Sequence, residues 1–198
     1  YGREAIQTLL KRMEDDRESV AVILAGYSEE MDQMIRTNPG LSSRINTNIQ
    51  FGDYDAADMG RSFETMCRQN DYQLPANARH RLLLGFHHLF LRRDKHFGNG
   101  RLVRNAFENS VRKLADRIAG VVELSEDLLT CLTAKDISVP GVSERDLEGL
   151  RNSPHVLRMT CVGCQRKIRV KPNSLGLKVR CGKCDRVQNA DWAGVFDR

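Results

Sequence analysis

Two Cys-x-x-Cys pairs near the end of the chain constrain its fold more than any other feature. Cys161 and Cys164 form the first pair, Cys181 and Cys184 form the second, and sixteen residues separate the two pairs. Each pair can offer two thiolates to one ion, so two pairs complete a tetrahedral site of four sulfurs. The spacing therefore predicts a structural Zn²⁺ site, in which no position is left open for a catalytic water.

The segment that contains these cysteines is expected to be a small β zinc ribbon over residues 157–192. The stretches "KIRVK" and "LKVRC" alternate apolar and basic residues around the turn signal "PNSLG", which predicts a hairpin. So short a segment buries too little apolar surface to fold alone, and the metal is expected to stabilise it. Disulfides and free thiols are the alternatives to zinc, and the lack of an export signal argues against disulfides. Trp192 is expected to cover the apolar side of the hairpin, with stacking on a ligand as the alternative.

Basic residues are concentrated in the same part of the chain. Residues 157–198 contain 10 Lys and Arg against 3 Asp and Glu, whereas residues 1–156 contain 21 against 23. So sharp a break in charge predicts a domain boundary. Part of the positive charge would compensate the anionic zinc–thiolate site, and the rest could contact nucleic acid or acidic protein surfaces. A solvated basic surface without a dedicated ligand is the alternative.

Apolar periodicity divides the rest of the chain into two kinds of structure. The run "SVAVILAG" at residues 19–26 is almost continuously apolar, which is typical of a strand buried on both faces. Residues 46–51 are the second predicted strand, and helical patterns precede and separate the two, as in an α/β core. From Asp55 the pattern is helical, and a charged, aromatic-free stretch before the ribbon predicts a linker. The predicted domains are an α/β core fragment at 1–54, a helical bundle at 55–136, a linker at 137–156 and the ribbon at 157–192.

The overall composition is that of a globular protein, with 40% hydrophobic and 29% charged residues. No apolar run approaches the roughly 18 residues that a membrane span requires. We therefore expect no membrane association and a cytoplasmic location.

Three further stretches together resemble one protein family. They are "YGREAIQTLLKRMEDDRESVAVILAGYSEEMDQMIRTNPGLSSR", "INTNIQFGDY" and "RRDKHFGNGRLVRNAFENSVRKLADRI". They look like the later half of an AAA+ ATPase module of the CbbX-like and stage V sporulation protein K-like group. The likeness covers residues 1 to about 136, and it implies the end of an α/β core followed by a helical lid.

The resemblance also implies roles for two arginines. Arg44, which ends "NPGLSSR", matches the arginine finger that reaches the nucleotide of the neighbouring subunit, and Arg101 in "GNGR" matches the sensor-2 arginine. A planar guanidinium stabilises charge on phosphoryl oxygens during transfer. The implied cofactor is ATP with Mg²⁺, the implied assembly is a homo-oligomeric ring, expected to be a hexamer, and the implied activity is remodelling of a protein partner. The usual sensor-1 Asn or Thr is absent, and Tyr27 stands nearest to that position.

The sequence departs from the family at the phosphate-binding motifs. It contains no G-x-x-x-x-G-K-[ST] and no apolar strand that ends in an Asp-Glu pair for Mg²⁺. These residues alone are therefore expected to be inactive, with the nucleotide held by polypeptide upstream or by another subunit. Considered alone, Arg44 could be a surface arginine. Arg101 could cap a helix or pair with Asp94, and Arg104, three residues further on, could be the member of the pair Arg101 and Arg104 that has a structural role.

Two other functions remain open on the sequence. One is a non-catalytic helical module with a basic zinc ribbon that binds nucleic acid or acidic proteins. The other is a degenerate subunit that donates Arg44 to mixed rings without binding ATP.

Overall fold

The computed structural model describes residues 2–197, and its contacts divide between Gly52 and Asp53 into two compact units. We call residues 2–52 the N-terminal unit and residues 53–197 the C-terminal unit, and each is described by itself. Among residues 2–197, no helix is both long enough and apolar enough to cross a membrane.

The described part of the N-terminal unit contains three helices joined by segments without regular secondary structure. The helices are α1 (Gly2–Asp15), α2 (Ser28–Thr37) and α3 (Pro39–Arg44). Pro39 occupies the first turn of α3, where its missing N–H costs no hydrogen bond. A Cβ at Gly40 would lie 2.7 Å from the Leu10 side chain, so glycine permits α3 to approach α1 closely. Leu41 beside it is fully buried.

Neither of the two predicted strands forms in the N-terminal unit, which corrects that expectation. Residues 20–26 and 46–51 have no regular secondary structure and belong to no β-ladder in the described chain. Ile23 and Phe51 are each 91% exposed, although the pattern of their segments predicts buried strands. A strand is stabilised by hydrogen bonds to a neighbouring strand and by packing on its faces. The described residues 2–52 supply no neighbouring strand, and they bury Val22 and Leu24 only in part.

The C-terminal unit opens with a helical bundle, as predicted. Its helices are α4 (Ala56–Gln69), α5 (Ala76–Leu91), α6 (Asn99–Ile118) and α7 (Glu126–Thr130). Asp55 starts α4 with a capping box, because its side chain accepts a hydrogen bond from the Asp58 amide at 2.7 Å. Helix α4 packs against both α5 and α6, and Phe63 and Phe86 are completely buried in the core. The edge of Phe63 meets Phe107 at 5.7 Å between ring centroids.

The segment at 137–156 that we predicted to be a linker instead packs onto the helical bundle. It contains α8 (Glu144–Asn152), which lies against α5, and its residues Ile137, Val139 and Leu147 are buried. The preceding turn is held by Asp136, whose carboxylate accepts two hydrogen bonds from Arg117 at 2.8 and 3.0 Å. Three well-placed aliphatic side chains are enough to dock the segment, although its average composition is polar.

The four-cysteine domain contains five short strands in two small antiparallel sheets. The strands are β1 (His155–Thr160), β2 (Lys167–Val170), β3 (Lys178–Arg180), β4 (Val187–Asn189) and β5 (Gly194–Asp197). The sheets have the orders β2-β1-β5 and β3-β4. The predicted pairing of "KIRVK" with "LKVRC" is therefore wrong, because these strands, β2 and β3, lie in different sheets. Each Cys-x-x-Cys pair is itself the turn of a hairpin, β1–β2 for the first pair and β3–β4 for the second.

The four-cysteine domain packs on the helical bundle through a contact that we call the lid contact, formed by Gly60, Glu64, Arg79 and Trp192. The Trp192 indole N–H donates to Glu64 Oε2 at 2.8 Å, and Arg79 donates to Glu64 Oε1 at 2.6 Å. The Arg79 guanidinium lies 5.3 Å from the centroid of the indole ring. The indole ring lies directly over Gly60, where a Cβ would be 2.2 Å from Trp192 Cε3. Trp192 thus covers helix α4, and not only the hairpin for which it was predicted.

Candidate functional site

The four predicted metal ligands converge at one point of the C-terminal unit. The sulfurs of Cys161, Cys164, Cys181 and Cys184 all lie within 4.8 Å of one another. Across the two pairs, Cys161 Sγ is 3.6 Å from Cys184 Sγ, and Cys164 Sγ is 3.7 Å from Cys181 Sγ. A tetrahedral zinc ion with Zn–S bonds of about 2.3 Å places its sulfurs about 3.8 Å apart. The cysteines therefore fit a closed tetrahedral site, and their sulfurs are too far apart for disulfides.

The two cysteine pairs sit in matching turns, a repeat that we did not predict from the sequence. In the first turn the Cys161 amide donates to the Arg166 carbonyl at 2.9 Å, and in the second the Cys181 amide donates to the Arg186 carbonyl at 2.9 Å. The residue after each pair adopts positive φ, 58° at Gln165 and 55° at Asp185. The signal was present in the sequence as C-x-x-C-[QD]-R, which occurs twice.

Backbone amides in these turns favour the thiolate form that a metal requires. The Gly163 amide donates to Cys161 Sγ at 3.4 Å, and the Lys183 amide donates to Cys181 Sγ at 3.5 Å. Hydrogen bonds from the Lys183 and Cys184 amides lower the pKa of Cys181 to about 6. By contrast, burial raises the pKa of the Cys67 thiol to about 12, as expected for a cysteine that fills the helical core.

Arg101 lies at the start of α6 beside a cavity of about 360 Å³, which we call the Arg101 cavity. Arg92, Arg93 and His96 also line this cavity, together with Asp94. Arg101 is exposed and forms no ion pair with any side chain that the structure describes, so the alternative of a pairing with Asp94 is not observed. The excess of cationic side chains makes this cavity suited to an anionic group.

Asn99 links the start of α6 to the first residues of the C-terminal unit, a role that we did not predict. Its side-chain oxygen accepts from the Tyr54 amide at 2.8 Å, and its side-chain nitrogen donates to Asp53 Oδ1 at 2.8 Å. Asn99 adopts a φ of 39°, a region that asparagine tolerates better than most residues. The residues that follow Gly52 are therefore tied to the helix that carries Arg101. The asparagine between two glycines in "GNGR" was the available signal.

Arg44 lies at the end of α3 in the N-terminal unit. Its Nη2 pairs with Glu14 Oε2 at 2.7 Å, with 35% of the Arg44 side chain and 60% of the Glu14 side chain exposed. Its Nη1 also donates to the Gly40 carbonyl at 3.4 Å. Exposed ion pairs contribute about 0–1 kcal/mol, so little free energy opposes exchange of Glu14 for another anion.

A histidine pair joins the helical bundle to the four-cysteine domain, and no sequence pattern pointed to it. His80 on α5 and His155 on β1 bring their Nε2 atoms to 2.9 Å, while His155 Nδ1 lies 2.8 Å from the Ser153 carbonyl. A carbonyl oxygen can only accept, so His155 Nδ1–H donates to it, and one of the two facing Nε2 atoms donates to the other. Burial, followed by the proximity of His155 and Arg151, lowers the pKa of His80 to about 4.

Comparison with known families identifies the helical bundle. Residues 56–146 match the family model described as the AAA lid domain. This range runs from the first residue of α4 into α8, so it includes part of the segment that we had predicted to be a linker. The helical bundle is therefore the lid of an AAA+ module.

Curated relatives define the group within that class. Stage V sporulation protein K of Bacillus subtilis is 38% identical over 144 residues, covering 70% of this chain and 44% of the relative. A CfxQ homolog of Galdieria sulphuraria is 38% identical over 143 residues, covering 69% and 45%. Protein CbbX of Cereibacter sphaeroides is 33% identical over 160 residues, covering 79% and 51%. The chain spans about half the length of the curated relatives it matches.

The chain is similar to the C-terminal half of the CbbX-like group of AAA+ ATPases. The resemblance drawn from the sequence is thereby confirmed. The individual roles of Arg44 and Arg101 remain predictions.

Proposed function

We propose that this chain is the C-terminal portion of a ring-forming ATPase that uses ATP hydrolysis to remodel a protein partner. The supporting observation is the Arg101 cavity, which collects three arginines on the lid of a protein similar to CbbX. ATP and Mg²⁺ are held by phosphate-binding motifs outside the 198 residues. The ring is homo-oligomeric and, by analogy with the family, hexameric.

Arg101 is the cofactor-binding residue of this proposal. Its guanidinium contacts the γ-phosphate of ATP bound to the same subunit, and Asn99 positions it relative to the residues after Gly52. A γ-phosphate that recruits Arg101 draws the lid toward the nucleotide, which couples nucleotide state to lid orientation.

Arg44 is the catalytic residue and acts in the site of the neighbouring subunit. In the isolated chain it is neutralised by Glu14, and formation of the ring exchanges this exposed carboxylate for a phosphate. Guanidinium groups supplied by a second subunit or protein raise phosphoryl-transfer rates about 10³–10⁵-fold. Hydrolysis therefore depends on assembly.

The test uses the protein translated from the complete reading frame. Arg44→Ala is expected to leave nucleotide affinity within about twofold while ATP turnover falls at least 100-fold, because the finger acts mainly in the transition state. Glu14→Gln, which frees Arg44, is the matched control and should retain turnover. Arg44→Ala with normal turnover would overturn the finger assignment.

Arg101 is tested in the same protein by nucleotide binding. Arg101→Ala is expected to weaken ATP binding about tenfold or more, since a charge-assisted contact is removed. Arg104→Ala is the control, because Arg104 is exposed on the same helix but does not line the Arg101 cavity. Equal losses in the two variants would contradict the assignment of Arg101 as sensor 2.

The four-cysteine domain binds one structural Zn²⁺ in this proposal. Cys161, Cys164, Cys181 and Cys184 hold the ion, which stabilises the domain and performs no chemistry. Because the lid contact joins this domain to α4 and α5, a lid that moves carries the four-cysteine domain with it. The domain therefore presents its outer surface to partners at positions that depend on the nucleotide.

A further inference from the structure

The three-stranded sheet of the four-cysteine domain has two chemically different faces. Leu157, Val170 and Val195 lie on the inner face and are buried. The outer face carries Arg158, opposite Arg169 on β2 and opposite Gly194 on β5. Lys167 and Phe196 share this outer face, because their cross-strand partners are Thr160 and Val156. We call Arg158, Lys167, Arg169 and Phe196 the cationic face.

The charges of the cationic face have no carboxylate partner among the described side chains. None of Arg158, Lys167 and Arg169 forms an ion pair with any carboxylate whose side-chain position is described in residues 2–196. Arg158 and Arg169 stand directly opposite each other across β1 and β2, an arrangement that destabilises a sheet. A bound polyanion would remove this repulsion.

An aromatic ring is held among these charges in an exposed position. Phe196 is 39% exposed, and its ring centroid lies 5.7 Å from Arg158 Cζ and 5.3 Å from Lys167 Nζ. The ring folds over Gly194, where a Cβ would lie 2.9 Å from Phe196 Cε2. Because Gly194 has no side chain, the Phe196 ring can lie beside the cations.

The cationic face continues into a cavity of about 400 Å³ at the border with α4. Arg61, Arg158, Lys167, Phe196 and Trp192 contribute to its lining. Its volume lies in the range of small-ligand pockets, large enough for one nucleotide unit. The carboxylate that lines it, Asp55, is already engaged as the cap of α4.

We propose that the cationic face binds single-stranded nucleic acid, with a base stacked on Phe196 and the phosphates on Arg158, Lys167 and Arg169. Binding of a single strand combines two components: cations that contact the phosphate backbone, and an aromatic ring on which an unpaired base stacks. An acidic peptide would use the cations but not the ring, and a duplex keeps its bases paired and out of reach of the ring. The proposal requires the folded four-cysteine domain and does not depend on ATP hydrolysis.

The test measures fluorescence anisotropy of a labelled 20-nucleotide oligo(dT) with the 198-residue chain. Three phosphate contacts predict that Kd rises roughly 20-fold between 50 and 200 mM NaCl, since the single-strand slope is about 0.7 per contact. Phe196→Ala is expected to weaken binding about tenfold, whereas Phe196→Tyr keeps the ring and stays within about twofold. Zinc content and circular dichroism verify that each variant is folded.

Two further variants separate ring position from charge. Gly194→Ala keeps every charge and the ring but displaces the ring, so binding should weaken less than in Phe196→Ala. Arg158→Gln should lower the salt slope by about 0.7, while Lys11→Gln on α1 removes an equal charge outside the C-terminal unit and leaves the slope unchanged.

Three results would overturn the proposal. The first is no binding at 50 mM NaCl by the zinc-loaded chain. The second is equal affinity of the folded Phe196→Ala variant and the unsubstituted chain. This result would show that the surface is a general contact for acidic peptides or other polyanions. The third is tighter binding of duplex DNA of the same length. Loss of ATPase activity in Arg44→Ala has no bearing on any of these outcomes.

Discussion

The N-terminal and C-terminal units contain apolar segments of similar character but bury them to very different extents. Ile23 and Phe51 of the N-terminal unit are each 91% exposed, whereas Phe63 and Phe86 of the C-terminal unit are completely buried. The C-terminal unit even buries Leu157 and Val170, which belong to short strands of a basic domain. The difference lies in the partners that each unit supplies to its apolar residues, and not in the residues themselves.

Helices and strands differ in what they require from the rest of the chain. An amphipathic helix completes its backbone hydrogen bonds internally and needs only a packing surface, which α4, α5 and α6 provide to one another. A strand buried on two faces needs neighbouring strands and covering helices. Residues 19–26 find no neighbouring strand within residues 2–52, and none of their side chains is fully buried. The apolar pattern therefore reports the environment that a segment prefers, and the described part of the N-terminal unit does not supply it to residues 19–26.

Removal of the metal site is expected to have the largest effect on the C-terminal unit. Replacing Cys161 and Cys181 by serine should reduce bound zinc from one ion per chain to none and unfold the four-cysteine domain, because structural zinc contributes about 10–16 kcal/mol in small domains. Trp192 is the single tryptophan, so its emission should move to longer wavelength. Cys131→Ser, outside the cluster, should keep zinc and emission unchanged. A metal-free chain with a protected Trp192 would contradict the zinc assignment.

Disruption of the lid contact is expected to have a smaller effect than loss of the metal site. Gly60→Ala places a Cβ against the indole ring of Trp192 and should lower the free energy of unfolding by about 1–3 kcal/mol. Gly149→Ala on α8 meets no atom within 4 Å and should raise stability by about 0.5–1 kcal/mol through helix propensity. Urea unfolding followed by Trp192 emission measures both. If the two variants are equally stable, the lid contact does not stabilise the unit.

The histidine pair makes stability of the C-terminal unit depend on pH. The pKa of His80 is about 4 in the folded chain against an ordinary value of 6.5, so the unfolded state binds more protons between these values. Stability should therefore fall as pH decreases from 6.5 to 4, by on the order of 3 kcal/mol. His80→Gln keeps a donor for His155 but does not titrate, so its stability should be flatter over this range. The same slope in both proteins would exclude His80 as the source.

The asparagine that ties the start of the unit to α6 is expected to contribute less. Asn99→Ala removes the hydrogen bonds to Tyr54 and Asp53 and should lower the free energy of unfolding by about 1–2 kcal/mol. Asn105→Ala lies on the same helix, has no side-chain hydrogen bond in the described structure, and should change stability by less than about 0.5 kcal/mol. Thermal unfolding distinguishes the two. Indistinguishable variants would refute the positioning role of Asn99.

The smallest effect is expected in the exposed apolar run, and it tests the comparison directly. Ile23→Ser should change the stability of the 198-residue chain by less than about 0.5 kcal/mol, because the side chain is 91% exposed. The same substitution at the fully buried Ile137 is the reference and should cost about 3 kcal/mol or more. Chemical unfolding measures both. A large loss at Ile23 would show that the N-terminal unit buries this run in solution.

Local patterns were sufficient wherever a residue and its partners are close in the chain. The start of the helical pattern at Asp55 was correctly predicted, because the capping box that begins α4 involves only residues three positions apart. The four cysteines were recognised because metal ligation requires a fixed pair spacing, and their sulfurs do converge. The helical lid followed from periodicity and from the family motifs, and the match at residues 56–146 confirms it.

Predictions failed where the partner is distant in the chain. The expected pairing of the arms on either side of "PNSLG" assumed that adjacent strands pair, but these arms pair with β1 and β4 instead. Gly60 gave no sign of its contact with Trp192, which lies far away in sequence. The apolar residues at 137 and 139 were predicted to belong to a linker because only their packing on the bundle reveals their role.

The sequence by itself determined the family resemblance, the lid helices and the four cysteines that converge, because helical periodicity and cysteine spacing are local properties. Only the tertiary structure decided that the four-cysteine domain is attached to the lid through Trp192, Glu64 and Arg79, and that its cations and Phe196 share one open face. These arrangements depend on shape and on partners from distant parts of the chain, and residue order alone does not specify which distant surfaces will fit each other.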